Sequence, residues 1–321
     1  MKTLYFAVCI LGAALLAPAL HAAQAYPARP LRLIVPYGAG GNADILARLA
    51  GARMAEVLGQ AIIIDNRPGA SGVLGSEIAA RAAPDGHTLL WVANGHATNP
   101  IVIKKMPFDP LKDLASVSLT NSTPMLLVAA NSLPADNVKA LIAYAKQRPG
   151  QINYATASVG SPNNLAGELL NMMAGIRLTH VPYKTTPQAT SDVIAGHMHA
   201  AMASLTSVLP HVRTQKLKAL GTTGPQRSAL APEVPAIAET VPGYQANIWN
   251  GLIVPAATPR AIVDKLNQVV MQQLKSPELR EKFAALGAEA MTSTPAQFDA
   301  FIRGEMAKWE KVISVSGMRV Q

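Results

Sequence analysis

The residues best suited to chemistry sit in one stretch, Tyr37-Gly38-Ala39-Gly40-Gly41-Asn42-Ala43, followed at once by Asp44. Glycine takes positive φ and lets a ligand come close to the main chain. A helix starting at this turn has unpaired first-turn N–H groups with a partial positive charge, which suits an anion. The stretch reads as a cup for a small carboxylate. It also satisfies G-x-G-x-x-G/A, with Asp65 ending the next apolar run, where a ribose-binding carboxylate would stand. Pro36 before the turn and the lack of a second group to take a hydride or proton weigh against a dinucleotide.

Other constellations carry less. His197 and His199 would share one face of a strand, as two metal ligands could. Spacing supplies no third ligand, and both read as solvent-facing, so no metal is expected. Ser71 in GASGV misses the G-x-S-x-G nucleophile elbow because Val73 replaces the last glycine. Ser158 and Ser161 have no local base to activate them. These hydroxyls read as hydrogen-bond donors to a bound anion. His96 lies in a loop where it could touch a ligand. Trp91 and Trp249 read as core, and Lys184 as an exposed lysine.

The elements that position the cup are a strand and a helix. Leu31, Leu33 and Val35 mark a buried strand. Helical spacing of Ile45 and Leu49, and of Leu46, Ala50, Met54, Val57 and Leu58, predicts a helix to Gly59. Strands over 61–65 and 87–94 with a helix over 74–83 continue a β-α-β pattern, that of a parallel sheet covered by helices. Ligands bind beyond the carboxyl ends of such strands, and the loop over 95–100 opens on the same edge as the cup. A strand over 125–130 and a helix over 138–148 precede a second unit of similar layout. It has a strand over 152–157, a loop over 158–164 containing Gly160, and a helix ending at Gly175, with Asn163 and Asn164 near its cap. Strands over 178–183, 198–205 and 217–223, with a helix over 189–195, complete a second parallel-type set. After an irregular stretch comes a strand over 248–255, and the remainder reads as helical. Three helix starts place Ser or Thr before Pro: Thr258-Pro259, Ser276-Pro277 and Thr294-Pro295. Thr294 and Gln297 also form a capping box.

Residues 1–25 read as a cleavable signal peptide, with Lys2, an apolar Ala-rich run and Ala23-Gln24-Ala25 at the cleavage site. Export to the periplasm follows. No twin-arginine pair is present, so the chain crosses unfolded and a cofactor loaded beforehand is not expected. Cys9, the only cysteine, lies in that segment, which leaves no disulfide or thiol chemistry. The rest is long enough for two domains. The formal charge of +9 is scattered and aromatics are 5% of the chain, so no basic stripe for nucleic acid is seen.

In this order, YPARPLRLIVPYGAGGNADILAR, IDNRPGASGVLGSEIAARAAPDGHTLL, INYATASVGSPNNLAGELL, HVPYK, LPHV, VPGY and WNGLIVPAATP resemble the substrate-binding receptors of tripartite tricarboxylate transporters, the Bug family. The resemblance covers essentially everything after residue 25. It implies an α/β, type II periplasmic-binding-protein fold: two α/β lobes joined by two crossing strands, at MLLVAA and IWNGLIVP, with the ligand cleft between. Lobe 1 would take 26–124, lobe 2 would take 125–247, and 248–321 would return to lobe 1. Carried over position by position, first-lobe contacts would be Tyr37, Gly38, Ala39, Gly40, Gly41, Asn42 and Ala43, with Asp44 fixing the helix start, and Gly95, His96, Ala97 and Thr98. Second-lobe contacts would be Ser158, Gly160, Ser161, Asn163, Asn164, Tyr183 and Ser204. None of these loops contains arginine, which agrees with a carboxylate held by amides, hydroxyls and waters. Hydrogen bonds to a charged acceptor contribute ~1.5–3 kcal/mol each, so a few reach the ~8 kcal/mol of micromolar binding.

Four departures bear on specificity. Asn42-Ala43 stands where the family has Gly-Thr, Asn164 where it has His, and Thr185 where it has Gly. Met202-Ala203-Ser204 replaces a frequent Phe-Asp-Asn; without the acidic side chain a ligand amine has no counter-charge, and the distal end gains room. The expected function is capture of a carboxylate or dicarboxylate, aromatic ones included, and delivery to large and small integral membrane subunits. The protein would be a monomer and not an enzyme. A ligand receptor for a sensor kinase and an exported dinucleotide-dependent enzyme are the alternatives.

Overall fold

The computed structural model describes residues 26–156, 159–183 and 185–317. The signal-peptide segment with Cys9, and also Ser158 and Lys184, lie outside the described residues. β1 (Leu31–Val35) is buried apart from Arg32 and leads through the glycine turn into α1 (Asn42–Leu58). This helix buries Leu46, Ala47, Ala50, Met54 and Leu58. It stops at Gly59, whose left-handed φ of 67° lets its N–H reach the Ala55 carbonyl. β2 (Ile62–Asn66), α2 (Val73–Ala80), β3 (Thr88–Ala93) and α3 (Gly95–Val102) follow. Then β4 (Leu114–Thr123) runs, across Pro124, into β5 (Met125–Ala129). α4 (Val138–Gln147), β6 (Ile152–Thr156), α5 (Pro162–Ala174), β7 (Leu178–Pro182), α6 (Thr186–Ile194), β8 (Ala200–Ser204), α7 (Leu205–Arg213) and β9 (Lys218–Thr222) build the second half. The chain returns through β10 (Ile248–Pro255), α8 (Arg260–Leu274), α9 (Pro277–Ala285), β11 (Glu289–Ala290) and α10 (Pro295–Ser316).

Two α/β lobes result. The first sheet has the order β11-β4-β10-β3-β1-β2, the second β7-β6-β8-β5-β9. In the first, β1, β2 and β3 are parallel and β10 runs antiparallel between β3 and β4. The chain passes between sheets twice, between β4 and β5 and again between β9 and β10. α10 joins the lobes from one side: Phe298 and Ile302 pack with first-lobe side chains, while Trp309 and Val312 belong to the second-lobe core.

Several elements differ from the sequence reading. Residues 95–100 form the start of a helix, not a loop. Gly, Asn and Pro in that stretch signal a turn, but burial of His96, Ala97, Thr98 and Asn99 holds the helix. β4 went unread because Ser116, Ser118, Thr120, Asn121 and Ser122 give it a loop's composition, yet most of it is buried. It tolerates burial because its polar groups are bonded; Ser118 Oγ donates to the Ser293 carbonyl at 3.1 Å, and Ser122 Oγ accepts from Asn247 Nδ2 at 2.7 Å. The strand expected to run to 205 ends at Ser204, and α7 begins at Leu205, its Leu205, Val208 and Leu209 buried. The second sheet is mixed, not parallel: β5 pairs antiparallel with both β8 and β9, because it arrives from the first lobe without a crossover helix. Of the three Ser/Thr-Pro starts, Ser276 caps Leu279 N and Thr294 forms the reciprocal box with Gln297. Thr258 does not cap; Pro259 is itself the N-cap residue of α8. His199 lies just before β8 and its Nδ1 accepts from Asn153 N at 3.1 Å.

Close packing between β10 and α10 makes a direct test. A Cβ on Gly251 would lie 2.0 Å from Phe298 Cζ, whereas one on Gly304, on the exposed side of α10, meets nothing within 4 Å. Gly251→Ala should cost about 1–3 kcal/mol through overpacking, and Gly304→Ala should gain about 0.5–1 kcal/mol. Urea unfolding of both variants checks the opposite signs.

Candidate functional site

The glycine turn is held by one buried carboxylate. Asp44 Oδ2 accepts from Gly40 N at 2.9 Å and Arg48 Nε at 3.0 Å, and its Oδ1 accepts from Asn66 Nδ2 at 2.9 Å. The same Asn66 amide reaches the Tyr37 carbonyl at 3.1 Å, which ties the end of β2 to the turn. Burial opposes ionisation of Asp44, but the hydrogen bonds from Arg48, Gly40 and Asn66 outweigh it and hold the carboxyl below its usual range. Gly40 adopts φ +79°, and Gly41, the N-cap of α1, has no side-chain cap. The first-turn N–H groups at Asn42, Ala43 and Asp44 therefore have no intrahelical acceptor. Gly38, Ala39, Gly40, Gly41 and Asn42 are exposed.

The second lobe repeats the device with different chemistry. Asn164 Oδ1 accepts from Gly160 N at 2.9 Å, again a side chain four residues on closing a turn before a helix. Asn164 Nδ2 donates to Tyr154 Oη at 2.9 Å, and that hydroxyl donates to Glu168 Oε1 at 2.6 Å. Ser161 caps α5 by accepting from Asn164 N at 3.3 Å, and Asn163 Nδ2 donates to the Met202 carbonyl at 2.9 Å.

Between the lobes lies a cavity of about 370 Å³. The first lobe contributes Tyr37, Ser71, Ala93, Asn94, Gly95, Thr98, Asn99 and Val102; the second Val159, Gly160, Ser161, Pro162 and Leu165. Ile248 at the start of β10 and Ile313 of α10 complete the wall. Two helix N-termini, those of α3 and α5, thus meet one space. Of the sequence candidates the cavity brings together Tyr37, Ser71, Gly95, Thr98, Gly160 and Ser161. Residues 38–43 follow Tyr37 but do not line it. His96, Ala97 and Asn164 are buried in their helices, and Asn163 is turned to Met202. Tyr183 donates its hydroxyl to Asp192 Oδ2 at 2.6 Å, and Ser204 Oγ lies 3.2 Å from Thr206 Oγ1. Ala203 is fully buried and adds no room to the cavity. Asn94, Asn99, Val102, Leu165, Ile248 and Ile313 were not singled out. Asn94 had a signal, its place at the carboxyl end of β3; Ile313, in the last helix, had none.

A family model described as "Tripartite tricarboxylate transporter family receptor" matches residues 46–318. The chain belongs to this family. Protein BugT of Bordetella pertussis is 34% identical over 302 residues, covering 93% of each chain. The solved structure "R. palustris Rpa4515 with adipate" is 36% identical with a TM-score of 0.74, covering 91% of this chain and 99% of its own. "Structure of periplasmic binding protein BugD" is 30% identical with a TM-score of 0.71, covering 92% and 100%. The fold is of the type II periplasmic-binding kind, and the family and its solved relatives are solute-binding receptors.

His96 and Tyr183 are among the side chains whose titration is shifted by their surroundings. Burial pushes His96 down to about 4 against the opposing pull of the Pro110 backbone, and among the described residues neither ring nitrogen makes a well-formed hydrogen bond. Burial, with the bond to Asp192, pushes Tyr183 up to about 12, so it stays a neutral donor.

Two outcomes follow. Asp44→Ala removes the acceptor for Gly40, Arg48 and Asn66, and should cost about 1.5–3 kcal/mol or more in urea unfolding, with Asp44→Asn in between. For His96, the unfolded chain takes up a proton near pH 6.5 while the folded one resists to about pH 4. Stability should therefore fall as pH drops across that window, with burial-lowered His180 adding in the same sense. His96→Gln should flatten, without abolishing, the slope of melting temperature against pH between 6.5 and 4.

Proposed function

We propose that this chain is a periplasmic receptor that captures a small carboxylate between its lobes and hands it to the membrane subunits of a tripartite tricarboxylate transporter. No bond is made or broken in this reading. Lobe 1 spans 26–124, lobe 2 spans 125–247 and the remainder returns to lobe 1, with residues 1–25 removed on export. Tyr37 at the start of the glycine turn, Gly95 and Thr98 face the solute from one lobe. Gly160 and Ser161 face it from the other, and Asp44 holds the first turn in shape.

The observation that carries this reading is the cavity between the lobes, met by the N-termini of α3 and α5. The amide groups and dipoles there favour an anion. The name of the adipate-bound relative supports a carboxylate as that anion, and the name of BugD supports a periplasmic location.

Thermal unfolding with a panel of solutes tests it. A ligand at 100 times its dissociation constant should add ~2.7 kcal/mol, and carboxylates should do so selectively. Stabilisation by nucleotides with no response to any carboxylate would overturn the assignment.

A further inference from the structure

The cavity is chemically one-sided. Among the described residues, no Lys, Arg, His, Asp or Glu lines it. Its amide side chains are engaged by the protein itself: Asn94 Oδ1 accepts from Trp249 N and its Nδ2 donates to the Asn247 carbonyl, both at 3.1 Å. Asn99 Nδ2 donates to the Ser71 carbonyl at 3.0 Å, and Thr98 Oγ1 to the Asn94 carbonyl at 3.3 Å. The rest of the wall is largely apolar, with Val102 from α3, Leu165 from α5, Ile248 from β10 and Ile313 from α10. Four separate elements each place a branched aliphatic side chain on one space. A charged group seated against that wall would lose hydration without gaining a counter-charge. An apolar group seated there leaves water at no such cost.

We infer that the preferred solute carries one carboxylate head on an uncharged, apolar body of aromatic-ring class, and that the body occupies this cavity. The inference rests on the carboxylate-receptor reading above and narrows it. The head stays at the amide-rich turns and helix N-termini, and the body turns toward Val102 and Ile313. A cavity of about 370 Å³ sits at the small end of ligand pockets, which suits a single ring better than a long chain. A second carboxylate or an ammonium at the far end of the solute is disfavoured, since the described residues of the wall carry neither sign of charge to receive it.

Calorimetric titration of the purified protein with 4-methylbenzoate, malate and aspartate tests this. The aromatic acid should bind at least tenfold tighter than the other two. Val102→Thr keeps the side-chain volume and adds a hydroxyl to the wall. It should weaken 4-methylbenzoate at least fivefold and narrow its preference over malate. Ile313→Thr should do the same from the opposite element, and decides the matter if melting curves show that the first variant does not fold. Malate or aspartate binding as tightly as 4-methylbenzoate would overturn the apolar-body assignment and leave the carboxylate receptor standing. Wild-type preference in both folded variants would overturn it too, by placing the body elsewhere. Failure of 4-methylbenzoate to bind, with or without the other two, would overturn the apolar-body assignment, and the carboxylate receptor then stands or falls on the solute panel above.

Discussion

The whole interlobe geometry depends on satisfying buried backbone groups where the chain crosses between lobes. Thr123, Met125, Ala246 and Asn247 are all buried, so their polar atoms need partners inside the protein. Thr223 supplies several at once. Its N–H donates to the Met125 carbonyl at 3.0 Å, its carbonyl accepts from Ala246 N at 3.0 Å, and its hydroxyl accepts from Met125 N at 2.8 Å. The Asn247 side chain then bridges the two crossings, accepting from Thr223 Oγ1 at 2.9 Å and donating to Ser122 Oγ at 2.7 Å. Asn94 extends the same network to the cavity wall through the Asn247 carbonyl and Trp249 N. One continuous set of hydrogen bonds therefore links the two crossings to the cavity wall.

α10 supplies the apolar counterpart. Its buried Glu305 accepts from the indole N–H of both Trp249, at 3.1 Å, and Trp309, at 2.9 Å, and pairs with Lys308. A charge of this kind tolerates burial only because each oxygen has a donor. Through it the last helix is anchored to the returning strand β10 at the point where that strand meets the cavity. The side chain of Ile313 consequently has a defined place in a wall whose other members, Ile248 apart, lie far earlier in the chain.

The two glycine-containing turns show how one geometric need is met twice with different residues. Each needs an acceptor for a glycine N–H four residues before a helical position: Asp44 for Gly40 and Asn164 for Gly160. The carboxylate in the first lobe is balanced by Arg48, while the amide in the second is steered by Tyr154. Both turns are braced by the protein's own hydrogen bonds, and a site ordered in advance loses less entropy on binding.

Local pattern alone determined the strand–turn–helix at Leu31–Leu58, the strand at Ile248–Pro255 and the caps at Ser276 and Thr294, because apolar period, glycine φ and short-range capping act within a few residues. The motif order, taken as a whole, also indicated the family and the two-lobed fold. Polar strand β4 and the helix at Gly95–Val102 were hidden, since their composition argues for turns and only distant partners such as Ser293 and Asn247 make burial tolerable. The cavity wall belonged to the tertiary structure too. Val102, Leu165, Ile248 and Ile313 look like any core aliphatics in their own helices and strand. Only the packing of α3, α5, β10 and α10 around one space makes them neighbours, because contact between residues so far apart is decided by how the lobes and the last helix dock, not by spacing along the chain.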